Sequence, residues 1–577
     1  MKRRNFIRTM SLTAPTALLA SPSLASAPGL TAGASGRPSG EPKVFFYDDG
    51  RHASGLYQFA PPLSPEDIGY AVDQLADAGV DTLFYSAGPE GGVVQYDSKV
   101  AAKWGDNVDL WEHEIFYRAA RTLHQLVADG YDPMKLVCDR AHQKGIWFLP
   151  TICVCIIGGE RSVDNGLGRK SDFVYNHPQY QVGPDDDPRA KKPARFFGPN
   201  RMNFLHPEVR KERFAICEEL LSRYETDGIE LDLSIDNDFG PFCRFREVGQ
   251  LAPVLTQWIA ELRAVAQKAE QAQKRRKRIY VRIPAGPRSS WDVVGFEVAN
   301  WVSRKLVDGL VCLTTYRSML DQDMDLAAAV ELTRGTPCRV LSGFEGSLGR
   351  QLESNATAPM IWAAAANAYD RGADGFGICE GMWAPNGWPW TGEDYQTLRI
   401  LGHPDILATA NKIYRARSLA RGSALPESIF ALKGPVLPRE LRQGESLEVP
   451  LRLADDLGRW HALERVAAVR LRVRFGNIEP SLNEVRVEFN GRMLPESILR
   501  KIDLHFRVLK MGAVNPYGYV YEYQLTPDLY PKRGDNQVKV TLVKRDPKLK
   551  LPFDVYDVDC SIDYRLHRHF EETPIEY

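Results

Sequence analysis

The chain has no hydrophobic run approaching the ~20 residues needed to cross a bilayer, so no membrane span is expected. It has no charge imbalance either. Its 73 Lys and Arg against 74 Asp and Glu leave a formal net charge of −1, which gives nucleic acid or an anionic membrane no electrostatic reason to be a partner. No His-x-x-x-His or His-x-Asp spacing supports a metal centre built from Asp232, Asp236, Asp238 and His52; no metal and no cofactor are expected. No glycine-rich phosphate loop follows the first predicted strand, which weakens a dinucleotide-binding open sheet. The nine cysteines are odd in number and scattered, unlike a disulfide framework. Cys153 and Cys155 lie two residues apart on a predicted strand, and Cys138, Cys312 and Cys379 sit in apolar runs as core residues. One stray disulfide remains open.

What is present suggests a folded chain of two to four domains: 577 residues, 44% hydrophobic and 25% charged. Arg3-Arg4-Asn5-Phe6-Ile7, a short apolar run through Leu18, Leu19 and Ala20, and the small residues Ala25-Ser26-Ala27 resemble a Tat-type signal peptide over residues 1–27. That resemblance implies export of a folded bacterial protein to the periplasm or beyond. Residues 28–42 are rich in Gly, Ser and Pro and read as a disordered lead-in.

The stretch Asp227-Gly228-Ile229-Glu230-Leu231-Asp232-Leu233-Ser234-Ile235-Asp236 organises the rest. Alternation along a strand puts Leu231, Leu233 and Ile235 on one face and Glu230, Asp232 and Ser234 on the other. Strand patterns at 44–47, 82–86, 146–155, 227–236, 279–283, 308–314, 339–344 and 374–379 alternate with helical patterns. Among the helices are 115–128, 133–143, 207–224, 251–272, 291–302, 326–332, 359–370, 394–401 and 406–413. Eight such repeats over residues 43–420 predict an α/β fold, a (β/α)8 TIM barrel. Arg282 alternates with Val281 and Ile283 and is expected inside the barrel beside Glu230. Lys274-Arg275-Arg276-Lys277-Arg278 is read as a solvated loop at a helix end. A long excursion at 158–206 would overhang the mouth, with Phe173, Tyr175, His177, Tyr180, Phe196, Phe197 and Arg201 placed to touch substrate, unless it packs only on itself. Residues 425–577 change texture to short alternating strands, with a hairpin signal at Asn490-Gly491, and predict an all-β, jelly-roll-like sandwich.

The run Asn203-Phe204-Leu205-His206-Pro207-Glu208-Val209-Arg210, then Tyr224, then Asp227-Gly228-Ile229-Glu230-Leu231-Asp232 resembles the bacterial glycosyl-hydrolase-like (family 10-like) barrel proteins over about residues 43–417. This resemblance implies hydrolysis of a poly- or oligosaccharide. The strand-four pattern is also similar to chitinase-type barrels, but Ser234 stands where their catalytic Glu would be. Glycoside cleavage commonly uses two carboxyl groups. By resemblance to retaining barrels, Asp232 is the expected acid/base and Glu345 the nucleophile, with Glu380 as the alternative to Glu345. Asp48, Arg51, His52, Glu230, Asp236, Arg282, Tyr316, Trp383 and Trp388 are the expected substrate contacts. A non-catalytic carbohydrate-binding protein on a decayed barrel is the competing reading. Oligomeric state has no signature in the sequence.

Overall fold

The computed structural model describes residues 40–51, 56–163, 166–191, 198–235, 238–315, 319–345, 347–348, 354–379, 390–419, 429–430, 432, 434–504 and 518–568. Eight parallel strands close a barrel: β1 Val44–Asp48, β2 Thr82–Ser86, β3 Trp147–Cys153, β4 Gly228–Asp232, β5 Arg278–Pro284, β6 Gly309–Leu313, β7 Arg339–Phe344 and β8 Gly375–Ile378. Each pairs with its sequence neighbours, and β8 returns to β1. The predicted barrel is therefore the observed fold.

Local chemistry explains the helical layer. Ser64 and Asp67 form a reciprocal capping box ahead of Pro65–Ala76, with Pro at the first position. Asp132 caps Pro133–Gln143 through the Met134 N–H. The predicted helix over 291–302 is instead two short helices, Arg288–Asp292 and Val298–Ser303. Gly295 breaks it by adopting φ +80°, a conformation open to glycine. Residues 406–413 do not continue the helical layer as expected: a single turn, Pro404–Leu407, gives way to the strand Lys412–Arg415, which pairs with the last strand of the chain.

The barrel interior is filled by side chains in layers. Phe45, Phe84 and Tyr280 form a run of rings, with centroids 5.1 and 5.7 Å apart. Gly309 opposes Tyr280, where a Cβ would come within 2.2 Å of the ring. Above this layer the interior turns polar.

Beyond the barrel, two antiparallel sheets stack into a sandwich. One contains Lys412–Arg415, Phe553–Tyr564, Val466–Gly476, Tyr519–Gln524 and Leu499–Asp503 in that order; the other contains Ser446–Leu453, Gly534–Lys544, Glu484–Phe489 and Arg492–Met493. Val469, Leu471, Val473 and Phe475 point into the core, while Arg470, Arg472 and Arg474 alternate outward and pair with Asp563, Asp559 and Asp557. The Asn490-Gly491 turn has both residues at positive φ, as a tight hairpin requires. All nine cysteines are buried thiols.

Candidate active site at the barrel mouth

Strand β4 is fixed at its start before it carries acids to its end. The Asp227 carboxylate accepts from the Phe148 N–H at 2.9 Å and from Arg275 Nη1 at 2.8 Å, and lies 2.8 Å from His142 Nε2. Burial pushes its pKa up, but these donors outweigh burial and hold it below the usual value. The basic cluster is solvated only in part: Lys274 and Arg276 are exposed, whereas Lys277 and Arg278 are buried. Arg275 serves Asp227, Arg276 and Arg278 pair with Glu41, and the fully buried Lys277 donates to the Tyr224 and Thr226 carbonyls at 3.1 and 2.6 Å. Acids and carbonyls at the barrel floor collect these cations.

Register places the inward residues of the upper layers. Thr151, Glu230 and Tyr280 are aligned on β3, β4 and β5, and Cys153, Asp232 and Arg282 are aligned one step higher. Arg282 sits at the centre as expected. Its Nε and Nη2 donate to Glu230 at 3.1 and 2.9 Å, and its Nη1 donates to Asp232 Oδ2 at 3.0 Å. Thr151 donates to Glu230 Oε2 at 2.5 Å. Asp232 Oδ1 accepts from both the N–H and the hydroxyl of Ser234, at 2.8 and 2.6 Å. Burial drives the Glu230 carboxyl above its usual pKa, against the pull of Arg282. Burial opposes the Arg282 charge, but Asp232 and Glu230 hold its pKa well above the usual arginine value. Tyr47 packs against this group, its ring centroid 4.5 Å from the guanidinium carbon.

Glu345 follows directly after β7 and is 2% exposed, against 3% for Asp232. The buried Cys379 thiol follows directly after β8. Burial raises its pKa well above normal, and Arg282, Glu230, Glu345 and Asp232 all act on it electrostatically. Because β4 and β7 run parallel in one closed barrel, the acids at their ends lie at the same, C-terminal face as Arg282.

A second ionic group follows β1. Asp48 accepts from the Gly50 N–H at 2.7 Å, and Asp49 takes the Arg51 N–H at 2.9 Å and its Nε at 3.2 Å. The Arg51 guanidinium lies 5.9 Å from the Trp104 ring centroid. Gln95 clamps this loop by donating to the Asp49 and Ser86 carbonyls. Glu90, bonded to Arg169, joins the group; burial raises its pKa, but Arg169 and Arg51 bring it below normal. Sequence reading missed Glu90, Arg169 and Gln95, which lie in loops without a periodic pattern.

His52, Asp236, Tyr316, Glu380, Trp383 and Trp388 lie outside the described residues, as do Phe196 and Phe197. Arg201 lies within the described residues. It is buried and donates to the Pro241 and Cys243 carbonyls, tying the excursion to the loop after β4. Phe173, His177 and Tyr180 stack on one another, and Tyr180 also on His206, so much of the excursion packs on itself. Trp390 packs against Phe46, ring centroids 5.3 Å apart, closing the outside of β1. Among the described residues no three His, Cys, Asp or Glu side chains gather as metal ligands would.

Residues 63–340 match the family model described as glycosyl hydrolase-like 10, so the family resemblance read from the sequence is borne out. The glycosyl hydrolase DigH of Escherichia coli K12 is 24% identical over 167 residues, 28% of this chain and 32% of that protein. The aligned stretch thus spans about a third of the length of that curated relative. Among solved structures, the PgaB (BpsB) glycoside hydrolase domain from Bordetella bronchiseptica aligns at 13% identity, with 62% of this chain and 97% of that chain covered and a TM-score of 0.38. The endo-beta-1,4-mannanase from Thermotoga petrophila aligns at 10% identity, with 91% and 98% covered and a TM-score of 0.39.

Proposed function

We propose that the protein is an exported glycoside hydrolase that cleaves a poly- or oligosaccharide at the mouth of the barrel. The observation that carries this reading is the buried Asp232–Arg282 ion pair at the C-terminal end of β4, with a second buried acid, Glu345, directly after β7 at the same end of the closed barrel. That face is where barrels of this kind hold their chemistry. The match over residues 63–340 supports the same reaction class. All three contacts to Asp232 come from donors, which suits an anion facing the positive charge of an oxocarbenium-like transition state. This favours reversing the roles expected from sequence: Asp232 as the anionic member and Glu345 as the proton carrier. Glu380 stays the alternative second acid. Arg282 is engaged by two carboxylates, so it supports the acids and is not itself available to an acidic sugar. The twin-arginine start supports export before action.

The test is release of new reducing ends from a panel of neutral, acidic and amino-sugar polysaccharides by the full chain. Asp232→Asn and Glu345→Gln should each lower turnover by at least about a hundredfold while the circular dichroism spectrum is kept. The competing reading is a carbohydrate-binding protein without catalysis. It draws support from the same ion pairs, because Glu230, Asp232 and Arg282 satisfy one another internally. Saturable glycan binding with no reducing-end release, unchanged in both variants, would decide for it.

A further inference from the structure

The end of β6 is tied to the C-terminal sandwich. After Leu313 come Thr314 and Thr315, both buried, with hydroxyls that have no hydrogen-bond partner among the described residues. β6 and β7 are parallel neighbours, with Cys312 aligned to Ser342, so Thr314, Thr315 and Glu345 all follow the C-terminal ends of adjacent strands. Residues Met319–Leu320 then form a short antiparallel pair with Ser418–Leu419 in the connection between the two domains. Arg417 holds Asp321 at 2.8 Å and donates to the Asp323 carbonyl at 2.7 Å.

Gln322 is the centre of this junction. Its side-chain nitrogen donates to the Met360 carbonyl at 2.7 Å and the Ile413 carbonyl at 2.9 Å, and its oxygen accepts from the Arg415 N–H. Its own carbonyl accepts from Asn367, which also donates to the Arg452 carbonyl of the sandwich. One buried side chain thus bonds the segment after β6 to the helix Ala358–Asp370 and to the first sandwich strand. A cavity of about 280 Å³ lies alongside, lined by Gln322, Asn367, Arg415 and Arg452 among others. With space beside it, the segment's position rests on these directional bonds more than on tight packing.

We propose that Gln322 is a positioning residue, through which the sandwich sets the place of Thr314 and Thr315 at the barrel mouth. The C-terminal domain is then a working part of the catalytic unit and not a detachable binding module. This rests on the reading of the mouth as a hydrolase site.

The test compares full-length wild type with Gln322→Ala by amide hydrogen exchange. Peptides covering residues 312–320 and 412–419 should exchange at least tenfold faster in the variant, while β4 and β5 keep their rates. In a Gln322→Ala variant that also carries Leu320→Cys and Ser418→Cys, oxidation should restore slow exchange at 312–320. On whichever polysaccharide the wild type cleaves, kcat/KM should fall about tenfold and recover with oxidation. Unchanged exchange at 312–320, or equal loosening of β4 and β5, overturns the proposal. If Gln322→Ala does not fold, the cysteine pair in the wild-type background decides: oxidation should slow exchange at 312–320, and no effect overturns the coupling. If the wild type cleaves nothing in the panel, the hydrolase reading fails while the exchange result still stands or falls by itself.

Discussion

Arg282 donates to both carboxylate oxygens of Glu230, Nε to Oε1 at 3.1 Å and Nη2 to Oε2 at 2.9 Å, across the seam between β4 and β5. With Asp232 on its third nitrogen, one cation holds two buried acids in place. Arg282→Met would leave both acids facing each other without a counter-charge. Breaking such a buried group costs about 3–5 kcal/mol, so the thermal midpoint of the barrel should fall by several degrees. Acid should narrow the gap, because protonating the carboxylates removes their repulsion. Pairing Arg282→Met with Glu230→Gln should recover part of the loss. Equal midpoints for wild type and Arg282→Met at pH 7 would show that the ion group contributes nothing to stability.

The buried Lys277 ammonium gives a pH signature at the barrel floor. Burial lowers its pKa from 10.5 to about 8. Between pH 8 and 10.5 the unfolded chain keeps this proton and the folded chain releases it. The unfolded state then binds more protons, so this group's contribution to stability rises with pH across that window. The full gain is at most about 3 kcal/mol. Denaturation of wild type and Lys277→Met at pH 7.5, 9 and 10 checks it. The wild type should gain relative to the variant as pH rises, and parallel curves would show that the lysine keeps its proton throughout.

Much of the fold could be read because the determining signals are local. Strand alternation placed Glu230, Asp232 and Arg282 inward, and the same inward phase brings Arg282 to Glu230. Caps and glycine stops marked helices such as Pro65–Ala76. What stayed hidden depends on residues far apart in the chain. The cluster from Lys274 to Arg278 looks solvated by composition, yet Arg275 to Arg278 are taken up by Asp227, Glu41 and the Tyr224 and Thr226 carbonyls, and only Lys274 and Arg276 are exposed. Glu90 and Arg169, 79 residues apart, meet only in the folded loops. Residues 412–415 have too short a pattern to separate from the preceding helix, and only pairing with the last strand defines them.

The glycine of the Asp227-Gly228-Ile229 motif has a steric reason. Gly228 adopts φ +140°, and a Cβ there would lie 1.9 Å from the Arg278 carbonyl oxygen on the neighbouring strand. Gly228→Ala should therefore cost more than about 3 kcal/mol and yield mostly insoluble protein. Gly249 is the control: it lies exposed in the helix Val248–Gln273, with nothing near its would-be Cβ. Gly249→Ala should be neutral or stabilising by up to about 1 kcal/mol. Soluble expression and thermal midpoints of the two variants test the contrast, and equal behaviour would remove the steric account of the motif.

Ser234 separates a working Asp232 from one that merely fills the barrel. Its hydroxyl and N–H both donate to Asp232 Oδ1, while Arg282 takes Oδ2. Ser234→Ala deletes one bond to a charged group and leaves the ion pair and the backbone bond intact. Such a bond is worth about 1.5–3 kcal/mol. If Asp232 stabilises charge in the transition state, that loss falls on catalysis, and kcat should drop roughly tenfold or more with KM little changed. Were Asp232 only a structural partner of Arg282, the same substitution would lower the thermal midpoint and leave turnover alone. Kinetics and melting of this one variant thus distinguish the two roles, because among the described side chains the hydroxyl removed is hydrogen-bonded to Asp232.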